Sequence, residues 1–125
     1  MNLNQVTIYS SKTMETVEFF QKLGLRLIVD SLPRYARLEC TDGEATLSVN
    51  VADEKPVASD VVIYFECEDL DAEVERLERL GLEFADEPEE KEWLWREAYL
   101  NDPNGNSICL FYAGENRKNP PWRVE

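Results

Sequence analysis

Histidine is absent from the 125 residues, which removes the side chain that most often serves as a general base near neutral pH and most often ligates zinc, iron or nickel through nitrogen. Cysteine is scarce. Cys40, Cys67 and Cys109 stand singly in apolar or alternating runs, with no CxxC pair, so buried, reduced thiols in a cytosolic protein are expected. No run approaches the roughly 18 consecutive apolar residues that a membrane span requires. Met1 to Tyr9 shows no basic stretch followed by an apolar one, and no membrane association is expected. Positive charge is also short: 13 Lys and Arg stand against 26 Asp and Glu, for a net charge of −13. Phosphate backbones and anionic lipids would be repelled, which argues against nucleic acid as a partner. The same field either draws a cationic ligand toward a cleft or simply keeps a solvated surface soluble. Without a glycine-rich phosphate loop, a serine-hydrolase elbow or an HExxH motif, nucleotide binding, nucleophilic hydrolysis and zinc proteolysis have no foothold.

What is present is apolar content of 43%, enough for one core and one domain built of two similar halves. Asn4 to Tyr9 alternates as a half-buried strand and runs into Ser10-Ser11, a pair suited to capping a helix. Met14, Val17, Phe20 and Leu23 then recur at helical spacing up to Gly24, predicting a helix over 12–23. Strands follow at Leu25 to Val29, Arg34 to Cys40 and Ala45 to Val51, with Thr41-Asp42-Gly43 as a hairpin turn. Residues 52–60 are polar, contain Pro56 and read as a connector. The order then restarts with a strand at Val61 to Cys67, a cap at Asp69 or Asp71, and a helix presenting Leu70, Val74, Leu77 and Leu80 before Gly81. At a constant offset of 57 residues, Val17-Glu18 falls on Val74-Glu75, Leu23-Gly24-Leu25 on Leu80-Gly81-Leu82, and Gln5–Tyr9 on Val62–Glu66. Strands at 94–101 and 106–112, joined by Asp102-Pro103-Asn104-Gly105, complete a second set. The expected fold is α+β, two tandem βαβββ modules: module one 1–51, connector 52–60, module two 61–112 and an extended tail 113–125. Pro120-Pro121 is expected to hold that tail extended and to let Trp122 dock on the body or on a second subunit.

Three stretches carry a resemblance to a known family: Thr16-Val17-Glu18-Phe19-Phe20-Gln21-Lys22-Leu23-Gly24-Leu25, Phe65-Glu66-Cys67-Glu68-Asp69-Leu70-Asp71, and Asp102-Pro103-Asn104-Gly105-Asn106 before the last strand. With them the chain, nearly throughout to Tyr112, resembles the vicinal oxygen chelate superfamily, which groups glyoxalases, bleomycin-resistance proteins and extradiol dioxygenases. The resemblance implies curved sheets around a shared cleft with helices outside. It also implies a divalent metal held by ligands on the first and last strands of each module. Here those positions fall at Gln5, at Val62, at Cys109, and within Thr46 to Ser48, where the sequence leaves the register open. An amide, an isopropyl group, a hydroxyl and one thiol do not replace imidazoles and carboxylates, so no metal and no other cofactor is expected.

Period-two alternation sends Gln5, Thr7, Tyr35, Arg37, Thr46, Ser48, Tyr64, Glu66 and Cys109 to the face opposite the helices. Trp93, Trp95 and Tyr99 lie in an acidic stretch, where they either stack on a planar or cationic ligand or serve packing or a dimer contact. These twelve residues are the expected ligand-binding set. By its resemblance to drug-sequestering members of the family, the chain is expected to be a homodimer that binds a small, cationic molecule without metal catalysis. The alternatives are a lyase, isomerase or dioxygenase of the same family with an atypical or substrate-supplied metal, and an interaction module whose cleft is packed shut by Tyr35, Tyr64 and Phe111.

Overall fold

The computed structural model describes residues 1–124; Glu125, the last residue of the tail, lies outside them. The chain divides into two compact units. The first comprises Met1–Ala58 with Asp102–Gly105, and the second comprises Ser59–Asn101 with Asn106 onward. The Asp-Pro-Asn-Gly turn, expected within module two, therefore packs with the first unit.

In the first unit β1 (Gln5–Ser10), β2 (Arg26–Ser31), β3 (Tyr35–Glu39) and β4 (Thr46–Val51) form one sheet in the order β1-β4-β3-β2. The two strands most distant in sequence, β1 and β4, run parallel, and the other pairings are antiparallel. Helix α1 (Thr13–Lys22) supplies the crossover and packs on β4, β3 and β2. The sheet side that meets the helix is set by Ser10, whose hydroxyl lies 2.9 Å from that of Thr16. Ile8, which shares its parity, is buried with Ala36, Leu38, Leu47 and Val49. The helix rotates one residue from its expected phase: Thr13, Thr16, Val17 and Phe20 are buried, whereas Met14 is 62% exposed. Hydroxyls explain the shift, since Thr13 donates to the carbonyl of Pro33 at 2.8 Å and Thr16 to that of Lys12 at 2.9 Å. With those bonds made, a threonine is buried as readily as a methionine.

The second unit repeats the plan with β5 (Ile63–Glu66), α2 (Leu70–Arg79), β6 (Glu89–Glu90), β7 (Arg96–Asn101) and β8 (Ser107–Tyr112), in the sheet order β5-β8-β7-β6. Asp69 caps α2, accepting the Ala72 N–H at 3.1 Å. Leu70, Val74 and Leu77 are buried, but Leu80, expected on the same face, is exposed. Both helices end in the same double hydrogen bond. Leu25 N–H reaches Phe20 and Gly24 N–H reaches Gln21; 57 residues on, Leu82 reaches Leu77 and Gly81 reaches Glu78. Each glycine sits at positive φ, +105° for Gly24 and +92° for Gly81, which is why Leu-Gly-Leu punctuates both halves. No strand forms at Phe84, and Pro88, which lacks an N–H, precedes the two-residue β6.

The tail corrects the expectation that it is extended. Gly114–Arg117 forms a short 3-10 helix, and the Arg123 N–H closes a turn onto the Pro120 carbonyl at 3.0 Å, so the segment is not extended. Trp122, expected to dock on the body or on a second subunit, is 57% exposed in the single chain and so does not dock on the body. Among the described residues no helix is long and apolar enough to cross a membrane.

Candidate functional site

The first unit turns a polar sheet face away from α1. The register pairs Gln5 with Thr46, Thr7 with Ser48 and Arg37 with Ser48, so these side chains share that face with Tyr35. Ser48, only 1% exposed, is the hub. The Gln5 amide donates to its hydroxyl at 2.5 Å, and the Tyr35 hydroxyl lies 2.7 Å from it. The Thr46 hydroxyl donates to the Gln5 carbonyl oxygen, and Arg37 Nε donates to the Tyr35 hydroxyl at 2.9 Å with its guanidinium 5.6 Å from the ring centroid. The Ser48 hydrogen bond lowers the Tyr35 phenol below its ordinary range, slight burial opposes, and Arg37 lowers it further. Thr7 lies exposed on this face.

The corresponding face of the second unit is aromatic. Trp95 and Phe111 stack with centroids 4.7 Å apart, and Tyr64 stands edge-on to both, at 6.0 and 5.5 Å. The Tyr64 and Tyr99 hydroxyls lie 3.3 Å apart; that bond first, and burial second, raise the Tyr99 phenol well above its ordinary value. Glu66 is engaged elsewhere: its Oε2 accepts the N–H groups of Ala113 and Gly114 at 2.9 and 2.8 Å, and Oε1 faces Arg117 at 3.5 Å. Of the twelve expected residues the structure thus gathers Gln5, Thr7, Tyr35, Arg37, Thr46 and Ser48 on one sheet. Tyr64, Trp95, Tyr99 and Cys109 gather on the other, with Trp93 beside them through Glu97. Glu97 was not among the expected residues. It is 4% exposed, and its Oε2 accepts the Trp93 indole N–H at 2.7 Å. The alternation that placed Tyr99 on this face also places Glu97 there.

The open register now closes. Thr7 pairs with Ser48, and its repeat equivalent Tyr64 pairs with Cys109, so Ser48 is the position that answers to Cys109. The donors at the family's metal positions do not fit a divalent ion. In the first unit the Gln5 amide and the Ser48 hydroxyl are bonded to each other; in the second Val62 offers none, and burial, then the charge of Glu97, push the Cys109 thiol up to about 11. A metal takes the thiolate, the form this environment disfavours. No group of three or more Cys, Asp or Glu among the described residues is placed to hold a metal ion.

The raised Cys109 value has a consequence for stability. A folded-state thiol pKa above the unfolded value favours folding fully below about pH 8.5, and the contribution disappears as pH rises through the folded value. Unfolding by urea is expected to show the native chain losing on the order of 2 kcal/mol more than Cys109→Ala between about pH 8 and about pH 11. Equal losses would show that the thiol titrates alike in both states.

Comparison with known proteins agrees with this geometry. Residues 2–110 match the model of the Glyoxalase/Bleomycin resistance protein/Dioxygenase superfamily. No curated protein matches the chain. A glyoxalase/bleomycin resistance protein/dioxygenase from Nocardioides superposes with a TM-score of 0.79 at 21% identity, covering 100% of this chain and 90% of that one. A bleomycin-binding protein solved with bleomycin gives 0.70 at 20%, covering 90% and 98%. Lactoylglutathione lyase from Agrobacterium tumefaciens gives 0.73 at 17%, covering 89% and 92%. These three likenesses establish the fold, and the family match, over most of the chain, establishes the lineage. The chain belongs to the glyoxalase/bleomycin resistance/dioxygenase superfamily.

Proposed function

We propose that this protein is a small-molecule-binding member of its superfamily, working as a homodimer in the cytosol and without a protein-bound metal. The observation that carries the reading is the Gln5–Ser48 hydrogen bond. It commits two of the family's ligand positions to each other and builds a polar surface from which Arg37 and Tyr35 project. Such a surface suits hydrogen-bonded capture of a ligand rather than Lewis-acid chemistry. The net charge of −13 favours a cation, and one fold relative was solved with bleomycin bound. Three free thiols, Cys40, Cys67 and Cys109, fit a reducing compartment.

Thermal shift with bleomycin, other organic cations and a matched set of anionic metabolites tests the reading. A cation supplied at about 100 times its Kd is expected to stabilise the protein by about 2.7 kcal/mol. A midpoint moved only by anions would end the cationic assignment. Light scattering on the same sample is expected to give twice the chain mass.

A further inference from the structure

Glu97 sits in the middle of β7 and is almost wholly removed from water. Its Oε2 is held by the Trp93 indole N–H, while Oε1 has no partner among the described residues. Because no buried side-chain oxygen among the described residues lacks a partner, Oε1 must be reached by solvent. No Lys or Arg among the described residues forms an ion pair with it, although the charge of Lys91 is felt at the neighbouring Cys109 thiol. The basic groups of this unit that form ion pairs have other partners: Arg76 has Glu73, Arg79 has Glu75, Lys91 has Glu89, Arg96 has Asp71 and Glu90, and Arg117 has Glu66. A carboxylate this buried, with one neutral donor and no ion pair, costs stability that apolar packing at the same position would not.

The surroundings are aromatic. Trp93 is 47% exposed with its indole fixed beside the carboxylate, Tyr64 is 44% exposed, and Trp95 and Phe111 stack on the same sheet face. A positive nitrogen bearing alkyl or aryl groups satisfies both features, its charge meeting Oε1 and its substituents meeting the ring faces. A divalent ion does not, since a lone carboxylate supplies too few donors.

We propose that Glu97 and the Trp93 indole it orients form a recognition site for a monovalent organic ammonium group. The proposal rests on the ligand-binding reading and sharpens it to one charge and one residue. It is tested on the full chain by calorimetry and tryptophan fluorescence with benzyltrimethylammonium, choline, choline's uncharged isostere dimethylbutanol, and bleomycin. The two ammonium ions are expected to bind at least about tenfold more tightly than the isostere. Glu97→Gln retains an acceptor for the Trp93 N–H. It is expected to lose at least about tenfold in ammonium affinity while its thermal midpoint holds or rises, as it should when a buried charge without an ion pair is removed. Trp93→Phe, a change at an exposed ring, is expected to weaken binding as well and carries the test if Glu97→Gln fails to fold. Ammonium binding unchanged by both substitutions overturns the site and leaves the broader reading intact. Bleomycin binding with no ammonium binding does the same. Failure of every compound with the native chain overturns both.

Discussion

Phe20→Ala is expected to destabilise the protein by about 3–5 kcal/mol, seen as a lower midpoint in urea with an unchanged slope. Phe20 is fully buried on α1, edge-to-face with Phe19 at 5.0 Å and 87°. Its carbonyl accepts the Leu25 N–H that closes the helix. Truncation removes a large apolar transfer term and leaves a cavity facing buried strands, which relax only in part. Against a total stability of about 5–15 kcal/mol for a domain of ordinary size, that loss brings the first unit close to unfolding. Phe20→Leu fills most of the volume and is expected to cost less than half as much. The same helix backs the sheet whose other face carries the Ser48 network, so the loss should reach ligand binding too. An Ala variant less than about 1 kcal/mol weaker than the native chain would show that α1 is not the wedge of this core.

The repeat was legible because its determinants are local. A glycine at positive φ after an amphipathic helix announces itself, and Leu-Gly-Leu does so twice at one spacing. Strand alternation likewise placed Gln5, Arg37, Ser48 and Cys109 on one kind of face. Long-range partners were harder to read. Whether Thr46 or Ser48 answers Cys109 depends on the parallel pairing of β4 with β1, two strands separated by a helix and two other strands. Met14 lost its place on the core face to Thr13 because a hydroxyl bond to Pro33, twenty residues away, makes a threonine buriable. Glu97 was overlooked because a charged residue in an acidic stretch reads as solvated, and only the structure brings the Trp93 indole to it. Prolines in the tail read as extended, yet Pro120 accepts a turn-closing hydrogen bond from Arg123.

Asn104→Ala is expected to cost about 2–3 kcal/mol, more than a surface turn residue should. The sequence marks Asn104 as part of a hairpin turn, and its N–H does bond to Asp102 Oδ1 at 2.9 Å. Its side chain does something less local. Oδ1 accepts the Ser10 hydroxyl at 2.8 Å, and Nδ2 donates to the Thr16 hydroxyl at 3.1 Å, 88 residues away in sequence. Ser10 and Thr16 are wholly buried with their hydroxyl oxygens 2.9 Å apart, and Ser10 also accepts the Lys12 N–H at the start of α1. Alanine at 104 withdraws an acceptor and a donor from two buried hydroxyls at once, and in such networks the loss exceeds that of one exposed hydrogen bond. Asn104→Asp keeps the acceptor, forfeits the donor and adds a second carboxylate beside Asp102. It is expected to be nearly as damaging. A double-mutant cycle of Asn104→Ala with Thr16→Val, read by urea denaturation, should give a coupling of at least about 0.5 kcal/mol. Additive effects would mean that water replaces Asn104 without loss and that the turn's place in the first unit is set by backbone alone.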